Sequence, residues 1–362
     1  MKEQSELSSV SLVQLGLGTV GRELVRLAKS WNESSVEGPE LKYVGLADSS
    51  GLSINKDGFT TRELEEIENG KRAGAQLSEI SFSGVSGLSE LEPLFGSTDH
   101  GILVDVTDAE SFGQFYRKGF EADWSVVVAN KIPLTRATPE GFKKFKEAGI
   151  RYEATVGAGL PVISTLEHLQ RQRKKINEIG AILSGSLSFI LSEIEGGKDL
   201  SEAVLEAKRR GFTEPNPIED LVGNDVVRKG LILGRSLGME ISVEDVDVNP
   251  LVPLPEKDFS DRHLEEELID FNSDFKSKVR SAEKEGKRLR YLARVNNHGV
   301  KVGLERLDSG SPLAGGAGTS NVIQFETDNY VDPPLVIQGP GAGPKVTAGG
   351  VLSEINVLRR QS

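Results

Sequence analysis

A strand, a glycine-rich turn and a helix follow one another at the start of this chain in an order that few folds accept. Ser11-Leu12-Val13-Gln14-Leu15 is a short apolar run, and Gly16-Leu17-Gly18-Thr19-Val20-Gly21 follows without a spacer. Leu24, Val25, Leu27 and Ala28 then recur at helical spacing. Each glycine has its own task in such a turn. Gly16 permits the tight bend, Gly18 lets backbone approach a pyrophosphate, and Gly21 lets helix and strand pack closely, while the helix N-terminus faces negative charge. The pattern predicts a doubly wound nucleotide-binding domain that uses Gly16, Leu17, Gly18, Thr19, Val20 and Gly21 to hold a dinucleotide.

Further strands of the same sheet are expected at Leu41 to Ala47, Gly101 to Val106 and Ser125 to Ala129. The first ends at Asp48, whose carboxylate would accept hydrogen bonds from the adenosine ribose and so favour NAD. Lys56, nearby in sequence, is an alternative partner for a ribose phosphate, so NAD and NADP both stay open. Ligands of open parallel sheets gather at the carboxyl ends of strands, which directs Thr107, Asn130 and Lys131 toward the nicotinamide end of the dinucleotide. A third glycine-rich stretch, Tyr152 to Pro161, marks the exit from this domain. Its small residues let backbone carbonyls converge near Glu153, as either a hard-cation site or an ion-free turn. Ile176 to Phe189 reads as a strand with a polar interruption at Ser184-Gly185-Ser186, and Ala203 to Arg210 as a helix.

The middle of the chain carries Gly211-Phe212-Thr213-Glu214-Pro215-Asn216-Pro217-Ile218-Glu219-Asp220-Leu221-Val222-Gly223-Asn224-Asp225-Val226-Val227-Arg228-Lys229. Proline and glycine make its first half an ordered loop, and Asp225 onward reads as a helix. Asp225 and Lys229 then stand one turn apart on one face. With the upstream glycine turn, this block points to a dehydrogenase of an amino-acid-like substrate.

Composition narrows the alternatives. The 362 residues suffice for two domains with real cores. No apolar run approaches the roughly 20 residues of a membrane helix. The acidic Met1 to Glu6 lead directly toward a strand without a leader, so a cytoplasmic location is expected. With no cysteine there is no disulfide framework, thiolate metal site or cysteine nucleophile, and redox chemistry falls to a bound organic cofactor. A net charge of -12 argues against nucleic acid, and the short basic cluster from Arg171 to Lys175 reads as a solvated helix face. The charged segment from Leu254 to Gly286 reads as exposed helices.

Four blocks together, Gly16 to Gly21, Ala129-Asn130-Lys131, Tyr152 to Pro161 and Gly211 to Lys229, resemble the homoserine dehydrogenase family. The resemblance implies interconversion of homoserine and aspartate 4-semialdehyde with NAD or NADP, on the way to threonine and methionine. It implies that Glu214 and Asp225 bind the substrate ammonium, that Asp220 lines the same pocket, and that Gly185 and Ser186 contact substrate. Ser186 stands where the family often has threonine, and Glu219 where it more often has aspartate. Lys229 is implied as the proton donor beside Asp225, with Lys131 the second candidate. None of the four histidines, His100, His168, His263 and His298, falls in these blocks, and none is assigned a catalytic role. Glu153 with the carbonyls of Val156, Ala158 and Leu160 would hold a sodium-like ion that braces the domain junction.

Family likeness also implies the architecture. Val336 to Gln338 and the glycine-rich run to Pro344 would return the chain to the nucleotide domain, with Gly343 against the cofactor. The expected fold is a Rossmann-type doubly wound domain, residues 1–151 plus 339–362, and a mixed α+β catalytic and dimerisation domain, residues 152–338. A homodimer is expected. The length leaves room for neither a regulatory ACT domain nor a fused kinase, so a short monofunctional form is expected. Two rivals remain: a dehydrogenase of another amino-acid aldehyde, and a nucleotide-sensing homologue without turnover.

Overall fold

The computed structural model of the chain describes residues 9–34, 38–80, 84–97, 100–255, 257, 260–316 and 318–359; the acidic residues 1–6 read above lie outside these. Strand β1 (Ser9–Leu15), helix α1 (Thr19–Asn32), β2 (Glu40–Asp48) and β3 (Gly51–Ile54) come first. Helices α2 (Thr61–Arg72), α3 (Leu77–Ile80) and α4 (Leu91–Gly96) lead to β4 (Gly101–Asp105). Helix α5 (Gly113–Glu121), β5 (Ser125–Val128), α6 (Ile132–Arg136) and α7 (Pro139–Glu147) follow. The strands form one sheet in the order β3-β2-β1-β4-β5. β2, β1, β4 and β5 run parallel, which explains their almost unbroken apolar character: such strands are covered on both faces. The edge strand β3 is antiparallel to β2, a feature the sequence reading lacked. Its turn brings Gly51, at φ +142°, so close to the Ser86 carbonyl that a Cβ would lie 2.8 Å from it.

The second set of elements begins with α8 (Val162–Arg171), β6 (Ile176–Ile182), α9 (Gly185–Glu195), α10 (Leu200–Arg209), α11 (Ile218–Leu221) and α12 (Asn224–Ser236). It continues through β7 (Asp247–Val248), α13 (Asp261–Lys284), β8 (Lys287–Asn296), β9 (Gly299–Asp308), β10 (Ser320–Thr327) and β11 (Leu335–Pro340). Among the described residues these strands make a six-stranded sheet, β11-β10-β6-β8-β9-β7, antiparallel except for β7 beside β9. Helices α9, α12 and α13 pack on it.

The strand expected to reach Phe189 ends at Ile182, and a helix starts at Gly185, because the Ser184 hydroxyl caps it by accepting the Leu187 N–H at 3.2 Å. Among the described residues of the charged segment from Leu254 to Gly286, Asp261–Lys284 form one long helix, α13. Its Leu264, Leu268, Phe275, Val279 and Ala282 are buried, and its charges lie on the other face.

The chain ends in α14 (Pro344–Leu358), which packs on α1. The molecule divides into two compact units, Met1–Gly159 with Ala342–Ser362, and Leu160–Gly341. Against boundaries read at 151 and 339, the first unit keeps residues 152–159. The reason is local: the Glu153 N–H donates to Glu354 Oε2 of α14 at 2.9 Å, and a Cβ on Gly350 of that helix would lie 2.7 Å from the Ala158 carbonyl oxygen.

Candidate active site

In the first unit the glycine turn is packed tightly at two of its glycines and open at the third. Gly16 has φ +103° and packs against Val106 and Thr107. A Cβ on Gly21 would sit 2.1 Å from the Gly16 carbonyl oxygen, whereas one on Gly18 would meet nothing within 4 Å. Two glycines are thus required by packing, and the third opens a path for a ligand to the backbone. α1 starts at Thr19 with no side-chain cap and no acidic residue in its first turn, so its N–H groups and dipole remain available to an anion. Leu17 is buried in the core and Val20 packs against it, which leaves them backbone roles. Gly343, at φ +118°, precedes α14 in this unit and lines, with Thr19, Arg22, Arg72 and Lys345, a cavity of 470 Å³.

A residue the sequence reading passed over holds this turn. Gln14, fully buried, donates its amide to the carbonyls of Gly16 at 2.8 Å and Gly21 at 3.0 Å, and accepts from the Tyr43 hydroxyl at 3.0 Å. A lone polar side chain inside an apolar strand was the available signal, since a buried amide needs partners.

Asp48 is used differently from the expectation. Oδ1 accepts from the Ser50 N–H and hydroxyl; Oδ2 accepts from Lys71 Nζ at 2.5 Å and from the Leu77 N–H at 2.9 Å. Burial alone would raise its pKa, but these bonds outweigh that and hold the carboxyl below its usual value. A carboxylate so engaged ties α2 and α3 to the sheet.

At the ends of β4 and β5 polar residues converge on a buried carboxylate that the sequence did not indicate. Asp105, fully buried, accepts from the Thr107 N–H at 2.8 Å and hydroxyl at 2.7 Å, the Tyr116 hydroxyl at 2.5 Å and Asn130 Nδ2 at 3.0 Å. Burial pushes its carboxyl above the usual range in spite of these donors. Asn130 also accepts the Ile132 N–H at 3.0 Å, fixing the start of α6 immediately after Lys131. Thr107, Asn130 and Lys131 are therefore set on a rigid strand-end platform.

The second unit gathers the other residues. Glu214 is exposed, and its N–H donates to Asp220 Oδ2 at 2.8 Å. Asp220 Oδ1 accepts from the Ser186 hydroxyl at 2.6 Å. Burial raises the Asp220 carboxyl above its usual value, Ser186 and the Glu214 N–H oppose this, and the charges of Asp225 and Glu219 add to it. Residues 218–221 form a helical turn rather than loop. Gly223, at φ +83°, then starts α12, where a Cβ would lie 2.3 Å from the Tyr291 hydroxyl.

Lys229 is 8% exposed; its Nζ donates to the Leu183 carbonyl at 2.7 Å and pairs with Asp225 Oδ2 at 2.6 Å across one helical turn. Asp225 has 43% of its side chain exposed. Gly185 is required where it stands, since a Cβ would lie 2.9 Å from the Thr319 carbonyl oxygen. Glu219 is exposed. The turn from β6 into α9 thus brings Lys229, Ser186 and Asp220 together within this unit.

Of the expected ion ligands, Glu153 is buried, and Ala158 (φ +57°), like Gly157 (φ +88°) before it, is left-handed. Leu160, the first residue of the other unit, has its carbonyl engaged by the Val162 N–H at 2.8 Å. Among the described residues no group of three or more His, Cys, Asp or Glu is placed to hold a metal, so any ion here would depend on backbone carbonyls.

A Rossmann-type parallel sheet with a glycine-rich strand-to-helix turn, and a mixed α+β unit in which a carboxylate pairs with a buried lysine, define the class of two-domain proteins built on a Rossmann-type fold. The family model for homoserine dehydrogenase matches residues 161–355. Homoserine dehydrogenase of Schizosaccharomyces pombe is 34% identical, over 98% of this chain and 96% of its own length. The bifunctional aspartokinase/homoserine dehydrogenase of Haemophilus influenzae is 34% identical over 96% of this chain, which spans 42% of that protein. A hyperthermophilic archaeal homoserine dehydrogenase solved in complex with NADPH superposes with a TM-score of 0.77 at 28% identity, covering 98% of each chain. This chain belongs to the homoserine dehydrogenase family.

Proposed function

We propose that the protein interconverts L-homoserine and L-aspartate 4-semialdehyde with NADP or NAD. The observation that carries this is Lys229: a buried ammonium held by a carbonyl and a carboxylate on the helix that follows an acidic loop. A dinucleotide, when bound, supplies or takes up the hydride at the reacting carbon. Its fit rests on the cradle at Gly16 and Gly21, the open approach at Gly18 and the uncapped start of α1. Thr107, Asn130 and Lys131 would orient its reactive end from their strand-end platform.

In aldehyde reduction, negative charge develops on the carbonyl oxygen. Lys229 Nζ would stabilise that charge and deliver a proton to the oxygen; in the reverse direction it would take the proton back. Its bonds to Leu183 and Asp225 keep the ammonium in one place, so little reorganisation is needed at the moment of transfer. Glu214, Asp220 and Asp225 would pair with the substrate ammonium, replacing its lost hydration. Gly185 would let the substrate approach backbone, and Ser186 would hold Asp220. Lys131 is the second candidate for proton transfer.

The cation is proposed for Glu153 with the carbonyls of Val156, Ala158 and Leu160, and a homodimer in the cytoplasm is proposed from family likeness. Light scattering and fractionation test the latter. The decisive assay is reduction of NADP or NAD with homoserine, followed by nicotinamide absorbance. Turnover with homoserine above that with other hydroxylated amino acids supports the reading. Dinucleotide binding without turnover would favour the sensing alternative.

A further inference from the structure

At the junction of β6 and α9 two serines stand in series. Ser184 Oγ lies 2.8 Å from Ser186 Oγ, and Ser186 Oγ lies 2.6 Å from Asp220 Oδ1. Both serines are buried. Each hydroxyl has one hydrogen. When Asp220 is ionised it can only accept, so the Ser186 hydrogen must point at Asp220. The Ser184 hydrogen must then point at Ser186. The Ser184 oxygen in turn accepts the Leu187 N–H from the first turn of α9 at 3.2 Å. The direction of the whole chain is therefore forced: helix N–H to Ser184, Ser184 to Ser186, Ser186 to carboxylate. Hydrogen bonds aligned in this way polarise one another, and the positive end of α9 is relayed through two hydroxyls to one carboxylate oxygen.

We infer that Ser184 is a positioning residue for substrate binding, acting through Ser186 to keep Asp220 ionised and aimed at a ligand ammonium. This rests on the proposed function and deepens it. The inference adds a residue outside the acidic block, on the strand-to-helix turn that also supplies the Leu183 carbonyl to Lys229. The groups around Asp220 make such help necessary. Glu219 and Asp225 oppose its charge, Glu214 offers its N–H but carries a further carboxylate, and Lys229 is already paired with Asp225. Burial raises the Asp220 carboxyl further. A neutral Asp220 would lose most of its attraction for an ammonium group, so the hydroxyl chain acts on affinity rather than on hydride transfer.

The test compares wild type with Ser184→Ala and Ser184→Thr in the homoserine reaction across pH, with NADPH affinity read by fluorescence. Ser184→Ala should move the acid limb of kcat/KM for homoserine upward by roughly half a pH unit or more, raising KM several-fold below the limb. kcat at the optimum and NADPH affinity should change little, and Ser184→Thr, which keeps the hydroxyl, should restore the wild-type profile. An unshifted profile in a folded Ser184→Ala protein would overturn the inference. So would a loss of kcat and thermal stability together that threonine fails to rescue, because that is the behaviour of a helix cap alone. If Ser184→Ala does not fold, Ser184→Thr against Ser184→Asn decides: a profile displaced by asparagine and kept by threonine supports the relay, and equal profiles refute it. Failure of the functional reading is distinguishable, because wild type itself would then not turn over homoserine.

Discussion

Replacing Lys229 with methionine isolates the charge, since the side chain stays long and unbranched while the ammonium is lost. Two consequences follow from the structure. For stability, the Leu183 carbonyl loses its 2.7 Å donor and Asp225 loses its 2.6 Å partner. The unsatisfied carbonyl costs about 1–3 kcal/mol. The lost ion pair adds little, because Asp225 is 43% exposed and water can solvate it. Recovered burial of the apolar stem offsets part of this, so a net loss of about 1–2 kcal/mol is expected, and the protein should remain folded. For catalysis, general-acid assistance is worth roughly 10²–10⁴-fold, and the electrostatic contribution acts on the same developing charge. kcat should therefore fall by about three orders of magnitude or more, with dinucleotide affinity unchanged. The assay is steady-state turnover of homoserine beside dinucleotide titration and a urea unfolding curve. A folded variant that keeps more than about a tenth of the wild-type kcat would remove Lys229 from the chemistry and move the proton to Lys131.

Other expectations follow from single contacts. Gly21→Ala places a methyl 2.1 Å from the Gly16 carbonyl oxygen, so the pyrophosphate turn must open; loss of dinucleotide binding is expected, and retained affinity by fluorescence titration would show that the turn is not the cofactor site. Because Asp220 has a raised pKa and must be charged to attract an ammonium, kcat/KM for homoserine should fall as pH drops through that raised value. Asp220→Asn should flatten that limb, and a limb unchanged in the variant would assign it to another group. Asp48 has a lowered pKa, so its stabilisation is whole above the unfolded value of about 3.9 and is lost as pH falls through the folded value. Urea midpoints should accordingly show Asp48→Asn destabilised at neutral pH, with the gap closing toward the acid end; a gap independent of pH would mean that the carboxylate's charge is not what matters. Gly223→Ala must strain a backbone at φ +83° and crowd the Tyr291 hydroxyl at 2.3 Å, so KM for homoserine should rise with displacement of α12, and unchanged kinetics would contradict that geometry.

What the sequence determined by itself was local. Glycine spacing after an apolar strand specifies the tight strand-to-helix turn, because Gly16 and Gly21 tolerate no side chain, and unbroken apolar runs specify parallel strands covered on both faces. The four-residue spacing of Asp225 and Lys229 likewise specifies an ion pair on one helical face. Tertiary structure decided which partners those side chains meet. Asp48 ended on Lys71 and Leu77, Gln14 and Asp105 became the buried centres that hold the turn and the strand ends, and Ser184 stopped a strand to begin a helix. These partners lie up to 29 residues away along the chain and are joined by folding alone. A buried carboxylate or amide must find its hydrogen bonds wherever the fold provides them, and periodicity along a strand or helix carries no record of that choice.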